Sequence, residues 1–166
     1  MLQGFEGLTM IIGVIGGNNC STTVGKLAEE IGCGIATAGA ILICGGLGGV
    51  MKYACKGAKS KGGTTIGILP GSDKDDANEY VDIPIVTNLS IARNVIIVYT
   101  ADVLIAVDGG YGTLSEIAFA LNLQKPVIAL QTWALEYAGK VDDELFFRVD
   151  EPKSAVKLAL KLISKS

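Results

Sequence analysis

Three short apolar runs in this chain each break off at a cluster of glycines and give way to a helical pattern. That repeated corner constrains the fold more than any other feature. Met10 to Ile15 is stopped by Gly16-Gly17, and Ala40 to Cys44 by Gly45-Gly46 followed by Gly48-Gly49. Val103 to Val107 runs into Asp108 and then Gly109-Gly110-Tyr111-Gly112-Thr113. The runs are apolar at successive rather than alternate positions, as strands buried on both faces are. Thr64 to Leu69, closed by Pro70-Gly71, and Pro126 to Leu130 share this character, and Ile83 to Thr87 is a shorter strand.

Helical patterns fill the intervals. Ser21, Thr22 or Thr23 is placed to cap a helix to about Ala38, and a second carries Val50, Met51, Ala54, Cys55 and Ala58. Ile91 to Ala101 is β-branched enough to compete as a strand. Because only Thr100, Ala101 and Asp102 separate it from the strand at Val103, it reads as a helix, capped by Asn88 or Ser90. A helix follows the third glycine corner to about Leu123. Thr132 to Leu145 reads as loop or partial helix, and Phe146 to Val149 as an edge strand. Pro152 opens a last helix to about Ile163. This alternation predicts an α/β fold, one doubly wound and mostly parallel sheet with helices on both faces, in a single domain over residues 1–166. Its ligand is expected outside the carboxyl ends of the strands, where the chain order reverses.

Composition removes several function classes. The net charge is −3 with no basic block, so nucleic acid is not an expected partner. Histidine is absent, which excludes Ser-His-Asp and Cys-His catalysis and His-ligated metals. Cys20, Cys33, Cys44 and Cys55 form no CxxC pair and read as free thiols in a reducing compartment. The N-terminus has no basic region of a signal peptide, and the apolar stretch at Ile91 to Val107 is interrupted by Arg93, Asn94 and Asp102. The expected location is the cytoplasm, with no membrane contact. Charged residues make up 19% of the chain against 49% hydrophobic, so part of the apolar surface is expected to be covered in a homodimer or higher homo-oligomer.

Glycine accounts for 22 of 166 residues, well above the usual ~7%. At the three corners, backbone amides free of side chains can converge on an anion, helped by the following helix N-terminus. Gly16, Gly17, Gly45, Gly46, Gly48, Gly109, Gly110, Tyr111, Gly112 and Thr113 are the candidate phosphate or ligand contacts. There is no GxGxxG, no GxxxxGK[ST] and no GxSxG around Ser115, so dinucleotide, P-loop and serine-hydrolase readings fail. Arg93 is the one arginine before Arg148. It reads either as a fork for a phosphate or leaving group or as a structural ion pair. Glu116 has two readings of equal standing. It completes a T-x-x-E capping box with Thr113, or it is a catalytic carboxylate beside the anion site. Asp73, Asp75 and Asp76 read as a solvated loop, and no metal or resident cofactor is expected.

CGGLGGVM (Cys44 to Met51), GILPG (Gly67 to Gly71), Ala92-Arg93-Asn94 and GGYGTLSE (Gly109 to Glu116) resemble the LOG-type Rossmann family, once labelled lysine-decarboxylase-like. The branch most similar is the one containing the molybdenum cofactor carriers. The resemblance, spanning roughly Ile11 to Leu130, implies a small phosphorylated ligand, either a nucleoside 5′-monophosphate or a pterin. In the cytokinin-activating phosphoribohydrolases of the family, the N-glycosidic bond of a nucleoside monophosphate is split. The resemblance places Glu116 on the catalytic acid of that motif and Arg93 on its arginine. Two positions depart from it: Asp108 stands where the motif has proline, and Asn94 where it has lysine. Both departures fit the carrier branch better.

Overall fold

A computed structural model of the protein describes residues 9–137, 140–141 and 144–165; the N-terminal residues read above for a signal peptide lie largely outside them. In chain order the elements are β1 (Ile11–Gly16), α1 (Thr22–Thr37), β2 (Ile41–Cys44), α2 (Gly49–Ser60), β3 (Thr65–Leu69) and β4 (Ile83–Val86). They continue with α3 (Asn94–Thr100), β5 (Val103–Val107), α4 (Tyr111–Asn122), β6 (Val127–Leu130), β7 (Glu136–Tyr137), β8 (Lys140–Val141), β9 (Phe146–Val149) and α5 (Pro152–Ile163). Seven strands form one sheet in the order β4-β3-β2-β1-β5-β6-β9, and every pairing in it is parallel. The expected doubly wound, Rossmann-like α/β fold is present. From β1 the chain winds outward to β4, then returns to start again at β5 on the other flank of β1. The β1/β5 seam is therefore the switch point, where strand ends splay and leave a crevice.

Alternate residues of each strand feed two cores. Val14, Leu42, Cys44, Ile105 and Val107 pack under α1, α2 and α5. Ile15, Ile43, Leu104, Ala106 and Ala129 pack under α3 and α4. Helix α1 starts at Ser21, whose Oγ accepts from Val24 N at 3.2 Å. Helices α1 and α2 approach closely enough that a methyl on Gly32 would overlap the carbonyl oxygen of Ala54, and one on Gly57 that of Glu29. Each helix thus supplies a bare position for the other's backbone.

Two expectations need correction. Neither Asn88 nor Ser90 caps a helix: both have positive φ (53° and 52°), whereas an N-cap needs extended backbone. The segment opens instead as a 3-10 turn, Ser90–Arg93, that passes directly into α3. The stretch read as loop or partial helix, Thr132 to Leu145, holds the short antiparallel β7–β8 pair, with residues 138, 139, 142 and 143 outside the described set. All four cysteines are free; Cys44 and Cys55 are buried with their Sγ atoms 3.5 Å apart, and Cys20 and Cys33 are partly exposed. No helix among the described residues is long and apolar enough to cross a membrane.

The glycine contact between α1 and α2 is directly testable. Gly32→Ala must push the helices apart, so it is expected to cost about 1–3 kcal/mol or more, read as a lower urea midpoint with unchanged m value. Gly39→Ala, in the open turn after α1, should leave that contact intact, although its φ of 74° adds local strain. Equal losses in both variants would refute the close approach.

Candidate functional site

The three glycine corners share one edge of the sheet but are chemically unequal. Ser21 already caps α1. The N-terminus of α2 is tied down by the β1–α1 corner: Asn18 Oδ1 accepts from Gly48 N at 2.8 Å, and Gly17 O accepts from Val50 N at 3.0 Å. Helix α4 differs. Its N-cap is Gly110, with no side-chain cap, and its first intrahelical bond runs from Leu114 N to Gly110 O at 3.0 Å. The Tyr111, Gly112 and Thr113 amides precede that bond and have no intrahelical acceptor.

Residues far along the chain hold this third corner. Asp108 and Gly109 both take positive φ, 51° and 100°. Thr132 Oγ1 donates to Asp108 O at 2.5 Å, and Trp133 Nε1 donates to Gly110 O at 3.1 Å. The Trp133 ring also lies against Tyr111, with ring centroids 5.8 Å apart.

Between the corners opens a cleft of about 470 Å³. Gly16, Gly17 and Asn18 line it from the first corner, Gly45 and Leu47 from the second, and Gly110, Gly112 and Thr113 from the third. Arg93, Asn94, Glu116 and Met51 form its inner end, with Pro70, Ser90 and Ile91 at one side. The cleft thus gathers Arg93, Glu116 and most of the expected glycines. Gly46, Gly48, Gly109 and Tyr111 lie off its wall. Gly46, at φ 74°, packs against Leu69 and Gly67, Gly48 donates to Asn18, Gly109 makes the turn, and Tyr111 is 83% exposed on the rim.

Arg93 and Glu116 are buried at 8% and 6% exposure, and Asn94 at 6%. A methyl at Gly45 would stand 2.6 Å from Arg93 Nη2, so only glycine leaves room for the guanidinium. Arg93 Nη1 donates to Asn94 Oδ1 at 2.8 Å and lies 3.9 Å from Glu116 Oε1. Arg93 Nε is the buried side-chain nitrogen among the described residues that lacks a hydrogen-bond partner. Burial lowers the Arg93 pKa, with Glu116 and then Cys44 pulling it back up. Burial raises Glu116 from 4.5 to about 7, against the opposing pull of Arg93.

The capping-box reading of Glu116 fails. Helix α4 begins at Tyr111, so Thr113 sits inside its first turn and Glu116 a turn further on, turned toward the inner core and Arg93. Asn18 and Met51 were not legible as cleft residues, since nothing local distinguishes them. Asn94 was visible only as a departure from a motif.

Residues 9–160 match the SLOG cluster4 family. The fold superposes on the molybdenum cofactor binding protein of the phototrophic bacterium Rippkaea orientalis with a TM-score of 0.84 and 39% identity, covering 94% of this chain and 98% of that one. It superposes on the Moco carrier protein of Chlamydomonas reinhardtii with a TM-score of 0.85 and 40% identity, covering 96% and 100%. A cytokinin riboside 5′-monophosphate phosphoribohydrolase of Mycobacterium tuberculosis is 31% identical over 118 residues, covering 65% of this chain and 63% of that protein.

The burial of Glu116 has a signed consequence for stability. Its folded pKa is raised, so the folded state holds this proton more tightly than the unfolded chain does. The contribution is complete below about pH 4.5 and is lost as pH rises through about 7. Between those limits the wild type should lose about 3 kcal/mol that Glu116→Gln does not lose. Urea unfolding of both proteins from pH 4.5 to 8 measures the difference. Parallel stability curves would show that Glu116 is not desolvated.

Proposed function

We propose that this chain, which belongs to the SLOG cluster4 family of LOG-type proteins near the molybdenum cofactor carriers, binds a small phosphorylated pterin in the β1/β5 cleft. The observation that carries the reading is the buried Arg93, whose Nε has no partner within a cleft that also presents the uncapped end of α4. The phosphate sits on the amides of Gly112 and Thr113, which line the cleft and where helix geometry leaves donors and the dipole favours an anion. The ring system extends inward, where Arg93 supplies donors and Met51 and Gly45 supply apolar surface. The relatives named above for the molybdenum cofactor align over nearly their whole length.

A second reading rests on one observation: Glu116 is a carboxyl with a pKa near neutrality placed beside an arginine. Such a group exchanges a proton at physiological pH and suits acid or base work at a glycosidic bond. In this reading the substrate is a nucleoside 5′-monophosphate, Arg93 orients it, and Glu116 assists departure of the base.

The protein is also proposed to pair with a second copy of itself. Ile83, Ile85 and Val86 of the edge strand β4, with Leu89 and the 80% exposed Ile91 beside it, form an apolar strip on a sheet edge that is unpartnered among the described residues. Light scattering should give a dimer for the wild type and a monomer for Ile85→Asp/Ile91→Asp; a monomeric wild type removes the proposal.

Ligand class is separated by two measurements on the same preparation. Melting is followed with molybdopterin and with AMP, GMP and CMP, and the monophosphates are then incubated at high protein concentration and chromatographed. The carrier reading expects the pterin to raise Tm by several degrees and no free base to appear. Release of base from any monophosphate, abolished by Glu116→Gln, would install the hydrolase reading in its place. A flat melting profile across the panel would defeat both.

A further inference from the structure

A buried arginine and a buried glutamate side by side ordinarily close into a paired fork, with both N–H···O distances near 2.7–2.9 Å. Low dielectric makes that closure more favourable than it is in water. Here the nearest approach is 3.9 Å, outside hydrogen-bond range, and Nε has no partner at all. Something holds two opposite charges apart where attraction between them is strong.

The side chain in position to do so is Asn94. Its Oδ1 takes the Nη1 hydrogen at 2.8 Å, the same nitrogen that faces Glu116. Its orientation is fixed from the other end. Asn94 Nδ2 lies 3.3 Å from Ser115 Oγ and 3.5 Å from Gly112 O, both on α4, and Ser115 Oγ itself donates to Gly112 O at 2.7 Å. With acceptors around the amide nitrogen, the amide oxygen is left for the arginine. Gly45 also bounds the guanidinium, since a methyl there would meet both Nη1 and Nη2.

We infer that Asn94 is a positioning residue that keeps the Arg93–Glu116 pair open, so that the guanidinium can be completed by a ligand rather than by the carboxylate. The inference deepens the proposed binding reading and concerns the same cleft. Lysine, which the hydrolase motif carries at this position, has no acceptor and cannot perform this task. The charged and titratable groups facing Glu116 are Arg93, from the turn before α3, and Cys44, from the end of β2. Cys44 is common to all variants below, so in the uncharged Asn94 variants a change in Glu116 reports on Arg93.

The test needs no ligand and therefore stands or falls separately from the function. Glu116 is titrated by carbon NMR in protein labelled at glutamate side chains, with the signal assigned from Glu116→Gln. In Asn94→Leu, similar in volume but without an acceptor, the arginine closes on the carboxylate and the Glu116 midpoint falls by about one pH unit or more. In Asn94→Asp an acceptor for Nη1 is retained and negative charge is added, so the midpoint stays at or above the wild-type value. A side chain that merely fills space would leave the midpoint in the leucine variant within about 0.3 unit of wild type, and that result would overturn the inference. Should Asn94→Leu fail to fold, Asn94→Ala carries the same prediction and the same refutation. A shifted midpoint in a protein that binds nothing in the melting panel would leave the positioning role standing and remove the ligand.

Discussion

Burying a guanidinium costs several kcal/mol unless geometry and partners offset it, and the cleft of this protein is organised around that requirement at Arg93. The slot exists because Gly45 presents bare backbone at the end of β2, where any side chain would meet Nη2. Glu116 supplies an opposite charge from α4, and Asn94 supplies a neutral acceptor from the start of α3. These residues come from three separate crossovers, and the parallel order of the sheet brings them to one place. The partnerless Nε then marks a direction in which the cation remains unsatisfied within the protein itself.

The three strand-to-helix corners illustrate how one motif can be put to different uses. A glycine corner permits amides to face outward; it does not ensure that they do. At α1 a serine takes the amide, and at α2 an asparagine and a carbonyl from the neighbouring corner do so. At α4, among the described residues, no other corner takes the first amides, and the glycine cap leaves them for an outside acceptor. The cleft therefore offers an anion one open helix end, with the buried arginine further in. That is a modest electrostatic complement, suited to a single phosphate more than to a chain of them.

Much of this was legible before any coordinates. Strands buried on both faces announce themselves by unbroken apolar runs, and β1, β2, β3, β5 and β6 lie within a residue or so of the runs that predict them. Arg93 and Glu116 were each marked as site residues by motif resemblance. What failed did so for local reasons. Asn88 and Ser90 are good capping residues by composition, but the tight path out of β4 puts both into positive φ. The T-x-x-E pattern at Thr113 was misleading because a glycine can act as the N-cap and start the helix earlier. Contacts such as Asn18 with Gly48, or Trp133 with Gly110, join residues 30 and 23 positions apart and leave no periodic trace.

Helices α1 and α2 touch through Gly32 and Gly57 with no room for a methyl between them, and Asn18 ties the corners above them together. One jaw of the cleft is consequently an anvil, seated on a joint with no slack. The opposite jaw, at the α4 corner, hangs on a hydroxyl and an indole hydrogen bond from the segment after β6. A guest of the wrong size would be accommodated, if at all, by yielding on that second side. Any give in the width of the cleft would therefore fall on Thr132 and Trp133, outside every glycine motif in the chain.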